Sequence, residues 1–438
     1  MTYNAGATAS PGSSQASSFE DATYSKVTWR LLPLLFLCYV ASYLDRVNVG
    51  FAKLQMLNDL KFSETIYGLG AGIFFIGYFI FEIPSNMILH KVGARMWIAR
   101  IMITWGIISG GMAYVTTPEM FYLMRFLLGV AEAGFFPGVI LYLTYWYPAE
   151  RRGKITALFM TGIALSGVVG GPLSGWIMHA MPGIWGHTGW QWMFILEAIP
   201  SLILGVLVIM YMKDRIRDAT WLSEDEKKLL ESKISQEESQ KEHLSLSAMF
   251  SNGRVWLGAL IYFCFVMGLY GVSFWLPTII KTTGVTDPLN VGLLTAIPYA
   301  FAAVAMVLIG RSADARRERR WHVAIPAFLG CVGLLASTVY DHNTVMAMAS
   351  LTLASMGILT TLPLFWSLPT AFLSGTAAAA GIALINSLGN LAGFVSPFLV
   401  GWLKDTTQST NAGMYVLAVS LVIGGLLTLT LPAKLVNK

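Results

Sequence analysis

The chain has 438 residues, of which 55% are hydrophobic and only 12% are charged, roughly half the charged share of a soluble globular protein. Its mean hydropathy is +0.62, and the apolar residues fall in blocks of about 20, the length that crosses a bilayer core. A soluble enzyme is therefore excluded. The net charge of +5 is not clustered as a nucleic-acid-binding face would require, so no nucleic acid partner is expected.

In chain order, the apolar blocks predict an all-α protein with twelve membrane-spanning helices. The first six blocks are 29–49, 66–89, 96–115, 119–142, 155–178 and 189–212. The other six are 255–278, 290–310, 321–339, 344–366, 376–402 and 413–433. This division predicts two pseudo-symmetric six-helix bundles, 26–212 and 255–438, joined by a cytoplasmic linker at 213–254.

Two polar segments lie outside these bundles. Residues 1–25 are rich in Ser, Ala, Gly and Thr and lack the order of a secretory signal, which predicts a disordered cytoplasmic tail. In the linker, Ser223 followed by Glu226 is typical of a capping box, which predicts an amphipathic helix at the membrane surface. A merely solvated linker is the alternative.

The Lys and Arg residues outside the spans indicate the orientation of the chain. Most of them fall in the loops on the side of both termini, and the other side holds only Lys53, Lys61, Lys281 and Lys404. Cytoplasmic loops carry the excess of these residues. The sequence thus predicts a multi-pass protein of a bacterial inner membrane, surrounded by lipid, with both termini cytoplasmic. We expect a monomer.

Two loops at matching places in the two halves have related sequences. One covers 86–95, after the second span, and the other begins at Gly310, after the eighth. The second loop resembles the Gly-x-x-x-Asp loop of the major facilitator superfamily, because Gly310, Asp314 and Arg319 keep that pattern. In the first loop His90 stands where that superfamily usually has aspartate.

Four further segments resemble one family within that superfamily, the anion:cation symporters. They are Tyr43–Asn48, Phe81–Asn86, Arg125–Gly138 and Gly189–Phe194. The family includes bacterial tartrate, hexonate, phthalate and hydroxyphenylacetate permeases and is related to the sialin and vesicular glutamate transporters. The resemblance covers the chain from about residue 26 onward. It implies the major facilitator fold and transport of a small organic carboxylate.

Ionisable residues within a span are costly unless they are paired or face water, so each is a functional candidate. The first half holds six of them, Asp45, Arg46, Glu82, Arg125, Glu132 and Glu197. Arg125 and Glu132 are seven residues apart, which places them on one helix face with about 10 Å of rise between them. We therefore expect two pairs between helices, Asp45 with Arg125 and Glu132 with Arg46.

Such pairs predict coupling of protons to an anion. A carboxylate beside an arginine is ionised, and its proton affinity rises when a substrate anion draws the arginine away. The freed arginine can then bind the substrate carboxylate. The resemblance implies the same roles, with protons carried by Asp45 and Glu132 and the anion coupled by Arg46 and Arg125. Static ion pairs that hold the helices together are the alternative.

The other candidates have weaker signals. Glu82 and Asp314 are predicted to act in gating, and Glu197 is predicted to be structural. The predicted spans of the second half carry no charge. The candidates of that half to line a substrate cavity are therefore neutral: Tyr270, Trp275, Trp366, Asn386 and Asn390. The resemblance implies that Tyr43, Tyr78 and Trp366 line the cavity. For the two asparagines, hydrogen bonding between helices is an equally good interpretation.

These features predict proton-coupled uptake of a small organic carboxylate, either an aromatic or a hydroxylated acid, by alternating access. No Walker-type sequence and no metal-ligand spacing is present, so we expect an ion gradient as the energy source and neither a cofactor nor a metal. Exchange of organic anions, a non-transporting membrane sensor on the same fold, and sodium in place of protons stay open.

Overall fold

The computed structural model describes residues 11–239, 252–372 and 375–437. The helices of the first half are α1 Pro11–Val47, α2 Val49–Leu60, α3 Glu64–Val92, α4 Ala94–Gly111, α5 Pro118–Glu132, α6 Phe135–Thr144, α7 Ala149–Met160, α8 Gly162–Ala180 and α9 Gly189–Tyr211. The linker contains α10, Glu224–Ser239. The helices of the second half are α11 Gly253–Thr282, α12 Pro288–Arg316, α13 Arg320–Val339, α14 Thr344–Trp366, α15 Pro369–Phe372, α16 Gly375–Asn390, α17 Ala392–Thr407, α18 Asn411–Thr430 and α19 Ala433–Val436.

These helices form twelve segments long and apolar enough to cross a membrane, which confirms the predicted all-α, twelve-span architecture. Several spans are interrupted, and α1 with α2, α5 with α6, α7 with α8, and α16 with α17 each make one span. We call the end of the bundle with loops 145–148 and 317–319 the basic end. The opposite end, with loops 61–63, 283–287 and 408–410, is the far end.

The start of the first helix differs from the prediction. Residues 11–25 belong to α1, whereas the sequence predicts a disordered tail over 1–25; residues 1–10 lie outside the described residues. The helix extends because its side chains find partners at the basic end. Tyr24 is buried and stacks on Tyr147, with ring centroids 6.0 Å apart, and Arg151 pairs with Asp21 at 2.6 Å.

The linker helix binds the first half. Its capping box is formed as predicted, since the Ser223 hydroxyl accepts from the Glu226 N–H and the Glu226 carboxylate accepts from the Ser223 N–H. Glu226 also pairs with Lys26 at 2.8 Å, and Lys233 pairs with Glu20 at 3.0 Å. These ion pairs attach α10 to α1. A position at the membrane surface stays a prediction.

The two halves meet at the far end through close backbone contacts. A Cβ on Gly68 of α3 would lie 2.4 Å from the carbonyl oxygen of Pro397 in α17, and one on Gly175 of α8 would lie 2.5 Å from that of Pro288 in α12. Real Cβ atoms are not found this close to another atom. Glycine therefore permits the approach of α3 to α17 and of α8 to α12, and this approach seals the far end.

Candidate functional site

A narrow cavity lies between the two halves, next to Arg46. The volume open to the centre of a water molecule is about 40 Å³, and one water needs roughly 10–15 Å³ by this measure. The cavity thus has room for a few waters and is too small for a larger molecule. Its polar and aromatic lining consists of Tyr39, Tyr43, Arg46, Tyr78, Phe136, Tyr262, Tyr270, Asn386 and Asn390.

Arg46 connects the cavity to both halves. Its guanidinium is bonded to the carboxylate of Glu132 in the first half, and its Nη1 donates to the hydroxyl of Tyr270 in the second half at 2.8 Å. It also lies 5.6 Å from the ring centroid of Tyr78, within reach of a cation–π interaction. The predicted pair of Glu132 with Arg46 is therefore present, and this pair borders the cavity through the arginine.

Glu132 occupies the last position of α5, where the fourth span breaks. The break is made by Gly134, whose φ is +85° and whose Cβ would lie 2.4 Å from the hydroxyl oxygen of Ser85. Only glycine meets both conditions without strain. Glu132 is 1% exposed, and its Oε1 also accepts from the Ser42 hydroxyl at 2.7 Å. The carboxylate is thus held by one cation and one neutral donor.

The predicted pair of Asp45 with Arg125 is wrong. Asp45 is 1% exposed and accepts hydrogen bonds from three neutral side chains. Trp105 Nε1 donates to Oδ2 at 3.0 Å, Ser201 donates to the same atom at 2.5 Å, and Ser109 donates to Oδ1 at 3.0 Å. These donors come from α4 and α9, so Asp45 points into the interior of the first half and does not line the cavity.

Arg125 caps a broken helix instead of binding an acid. It is fully buried, and its Nη2 donates to the carbonyl oxygens of Arg46 at 3.4 Å and Ala71 at 3.2 Å, while Nε donates to that of Gly70 at 3.3 Å. Because α1 ends at Val47, the Arg46 carbonyl is one of the free acceptors at a helix C-terminus. Arg125 thereby connects α1, α3 and α5.

Glu82 contacts the second half. It is buried, and its carboxylate accepts from Asn386 Nδ2 at 3.2 Å and from the Ser387 hydroxyl at 3.0 Å. These bonds join α3 to α16 nearer the basic end, on the side of the cavity that faces away from the far-end seal. A gating role for Glu82 stays a prediction.

The predicted lining residues separate into two groups. Tyr43, Tyr78, Tyr270, Asn386 and Asn390 do line the cavity. Trp366 and Trp275 do not: Trp366 packs on Tyr262, with ring centroids 4.8 Å apart, and the Trp275 ring lies over Lys53 Nζ at 3.3 Å, outside the cavity. Tyr262 and Tyr39 also line the cavity and were not predicted, because tyrosines occur in most spans of the chain and nothing in the sequence distinguishes these two.

Asp314 and Glu197 lie away from the cavity. Asp314 is exposed at the basic end, and its role in gating stays a prediction. Glu197 is buried in the first half, where it accepts from the Ser174 hydroxyl at 2.6 Å. This contact agrees with the structural role that the sequence predicts for Glu197.

One buried cation, Lys53, was not predicted from the sequence. Although expected in a loop, it lies in α2 with 4% exposure and pairs with Glu64 of α3 at 2.6 Å. The signal was available, since the apolar pattern continues beyond Asn48 for another three turns. The first span, Ser18–Leu60, is longer than the roughly 20 residues that cross a bilayer core. Its extra turns place the charge of Lys53 at the far end.

Comparison with known proteins gives consistent matches over nearly the whole chain. The family model described as Major Facilitator Superfamily matches residues 35–397. The "putative metabolite transport protein NicT" of Pseudomonas putida is 50% identical over 419 residues, covering 95% of this chain and 96% of that protein. A "putative tartrate transporter" of Agrobacterium vitis is 51% identical over 417 residues with the same coverage. The solved structure of a D-xylose-proton symporter covers 94% of this chain and 99% of its own, with a TM-score of 0.75 and 17% identity, a likeness of fold.

Proposed function

The chain belongs to the major facilitator superfamily and is a membrane transporter rather than an enzyme, and we propose that it imports a small organic carboxylate together with protons by alternating access. We place it in a bacterial inner membrane, with the basic end facing the cytoplasm. The excess of Lys and Arg in the loops of that end supports this orientation.

One observation carries the proposal: Arg46 is held by Glu132 on one side and by Tyr270 on the other, at the edge of the cavity. A substrate carboxylate that enters the cavity can bind the guanidinium bidentately and compete with Glu132. Glu132 then loses its cation in a buried place, where an uncompensated carboxylate is strongly disfavoured. Binding a proton resolves this cost, so anion and proton bind together.

Asp45 serves as the second proton carrier in this proposal. Its carboxylate is buried among neutral donors in the first half, and a buried acid without a cation favours the protonated form. Arg125, which is bonded to three carbonyl oxygens, would act on the anion only through the position it gives to α1. We therefore assign the anion to Arg46.

The lining of the cavity and the names of the relatives each favour particular classes of carboxylate as the substrate. Tyrosines surround Arg46, and Asn390 adds an amide, which suits an acid whose body carries hydroxyls or an aromatic ring. One relative is named a tartrate transporter, which favours a hydroxylated acid. We propose these two classes of carboxylate as the substrates to compare.

The test is uptake into proteoliposomes from a panel of labelled hydroxylated and aromatic acids, with an imposed inward proton gradient. Wild type is expected to accumulate one class only with the gradient, and Glu132→Gln is expected to exchange that acid without concentrating it. Glu119→Gln, which changes an exposed carboxylate of the same helix, is the matched control. Uptake that needs a preloaded anion and ignores the gradient would establish exchange instead, and no uptake of any acid would favour a sensor.

A further inference from the structure

Charged side chains from both halves meet at the far end, outside the cavity. Lys53 of α2 and Glu64 of α3 belong to the first half, and Lys404 of α17 belongs to the second. Glu64 lies between the two lysines, with Oε2 2.6 Å from Lys53 Nζ and Oε1 bonded to Lys404 Nζ. One carboxylate therefore binds a cation of its own half and a cation of the other half.

Lys53 is also held by an aromatic ring across the boundary. Its Nζ lies 3.3 Å from the ring centroid of Trp275 in α11 of the second half, and 4.7 Å from that of Tyr67 in its own half. The Lys53 side chain is only 2% exposed, and cation–π attraction is strongest for a cation withdrawn from water and placed over tryptophan. Separation of the halves would remove this ring from Lys53.

Two more contacts cross the boundary at the same place. The Asp405 carboxylate of α17 accepts from the backbone N–H groups of Glu64 at 3.3 Å and Thr65 at 2.7 Å, so the second half supplies the acid that caps the N-terminus of α3. Lys281 at the end of α11 donates to the carbonyl oxygen of Leu54 at 2.9 Å.

These contacts account for most of the cations that the topology leaves at the far end. Four lysines lie there by sequence, and three of them, Lys53, Lys281 and Lys404, bind the opposite half. The fourth, Lys61, is exposed. Lysine and arginine are otherwise concentrated at the basic end, so the orientation of the chain in the membrane does not explain why these three lysines lie at the far end. Their contacts between the halves do explain it.

We infer that Lys53, Glu64, Lys404 and Trp275 form a far-end gate, whose contacts break whenever the cavity opens toward the far end. On opening, Glu64 keeps Lys53 and loses Lys404, while Lys53 loses the Trp275 ring. With the contacts intact, the closed far end is favoured. Removal of the shared charge shifts the population toward the open far end. The role of this gate in transport rests on the proposed function, but its opening can be measured without any substrate.

The test is the distance between spin labels on the two sides of the gate. Cys38, Cys264 and Cys331 are first replaced by alanine, and labels are attached at Asn58→Cys in α2 and Thr406→Cys in α17, two exposed positions at the far end. Pulsed electron double resonance on the purified full chain then reports the separation of the halves. The parent is expected to give one short distance.

Glu64→Gln and Lys404→Gln are each expected to add a population at longer distance, and Lys61→Gln, the far-end lysine outside the gate, is the matched control. Lys404 is partly exposed, so its variant tests the gate even where Glu64→Gln does not fold. Distances equal to the parent in folded Lys404→Gln would overturn the gate. A longer distance in Lys404→Gln, together with wild type that shows no proton-coupled uptake, would support the gate and reject the proposed function.

Discussion

Arg46 of α1 donates from Nη1 to the hydroxyl of Tyr270 in α11, a bond of 2.8 Å that crosses the boundary between the two halves. The same guanidinium is bonded to Glu132. A single cation thus joins the acid that we propose as a proton carrier to the half that moves relative to it in the proposed transport cycle. A change in the partner of Arg46 therefore alters contacts in both halves. Coupling in a transporter whose halves rock against each other requires such a connection.

Tyr270→Phe tests this connection. Loss of the hydroxyl leaves Arg46 without its partner in the second half, and a buried hydrogen bond to a charged group contributes about 1.5–3 kcal/mol. We expect the KM for the transported acid to rise roughly tenfold or more, since about 1.4 kcal/mol is a factor of ten. Tyr299→Phe removes a hydroxyl that bonds to Ser273 and is the control. Equal KM values for the two variants would contradict the prediction.

The pair of Glu132 with Arg46 could be predicted from sequence because simple helix geometry separates Glu132 from Arg125. Helix geometry could not predict the partners of Asp45 in the same way. Which helix faces Asp45 depends on how α4 and α9 pack against α1, and the donors Trp105 and Ser201 are ordinary residues of apolar spans. A serine that binds an acid and a serine that faces lipid have the same appearance in the sequence.

The architecture was predictable for a different reason. Block length and loop charge are averages over many residues, so single exceptions do not change the twelve spans or the two halves. Helix ends are set by single contacts, and there the prediction failed. Tyr24 extends α1 by packing on Tyr147, and the helix beyond Asn48 buries Lys53 against Glu64. Each contact joins a residue a few positions beyond a predicted helix end to a partner outside that helix, and the local sequence does not reveal that partner.

Asp45→Asn and Asp45→Ala separate the proton of Asp45 from its hydrogen bonds. In the asparagine variant the amide oxygen can accept from Trp105 and Ser201, and the amide N–H can donate to the Ser109 hydroxyl, which rotates to accept. Alanine leaves the Trp105 N–H unpaired, at a cost of about 1–3 kcal/mol. We expect a lower midpoint of thermal unfolding for alanine only, and loss of gradient-driven accumulation for both. Normal accumulation by Asp45→Asn would remove Asp45 from the proton pathway.

Glu318, in the loop between α12 and α13, gives a prediction for pH. Burial disfavours its charged form, but hydrogen bonds from the Trp321 N–H and from His322 outweigh burial and hold the pKa of Glu318 below its ordinary value. Asn437 donates to the same carboxylate at 3.1 Å. Because the folded-state pKa is lowered, the stabilisation is present above the ordinary glutamate pKa and is lost as the pH falls through the folded-state value.

We therefore expect Glu318→Gln to lower the thermal unfolding midpoint at pH 7 and to match wild type once both are acidified through that range. Thermal unfolding in detergent at a series of pH values measures the difference. Glu231→Gln, at an exposed position in the middle of α10, is the control and should differ from wild type by far less. A difference between Glu318→Gln and wild type that persists unchanged at low pH would show that the charge of Glu318 is not its cause.

Gly292→Ala tests the seal at the far end. A Cβ at Gly292 of α12 would lie 2.2 Å from the carbonyl oxygen of Gly171 in α8, whereas a Cβ at Gly153 of α7 meets nothing within 4 Å. Both substitutions gain intrinsic helix propensity, about 1 kcal/mol, so Gly153→Ala is the matched control. We expect Gly292→Ala to lower the initial uptake rate and to lengthen the spin-label distance at the far end, and Gly153→Ala to change neither. The contact partner is backbone and cannot rotate away as a side chain can, so the helices themselves must separate. Normal closure in Gly292→Ala would mean that α8 and α12 do not need this contact to seal the far end.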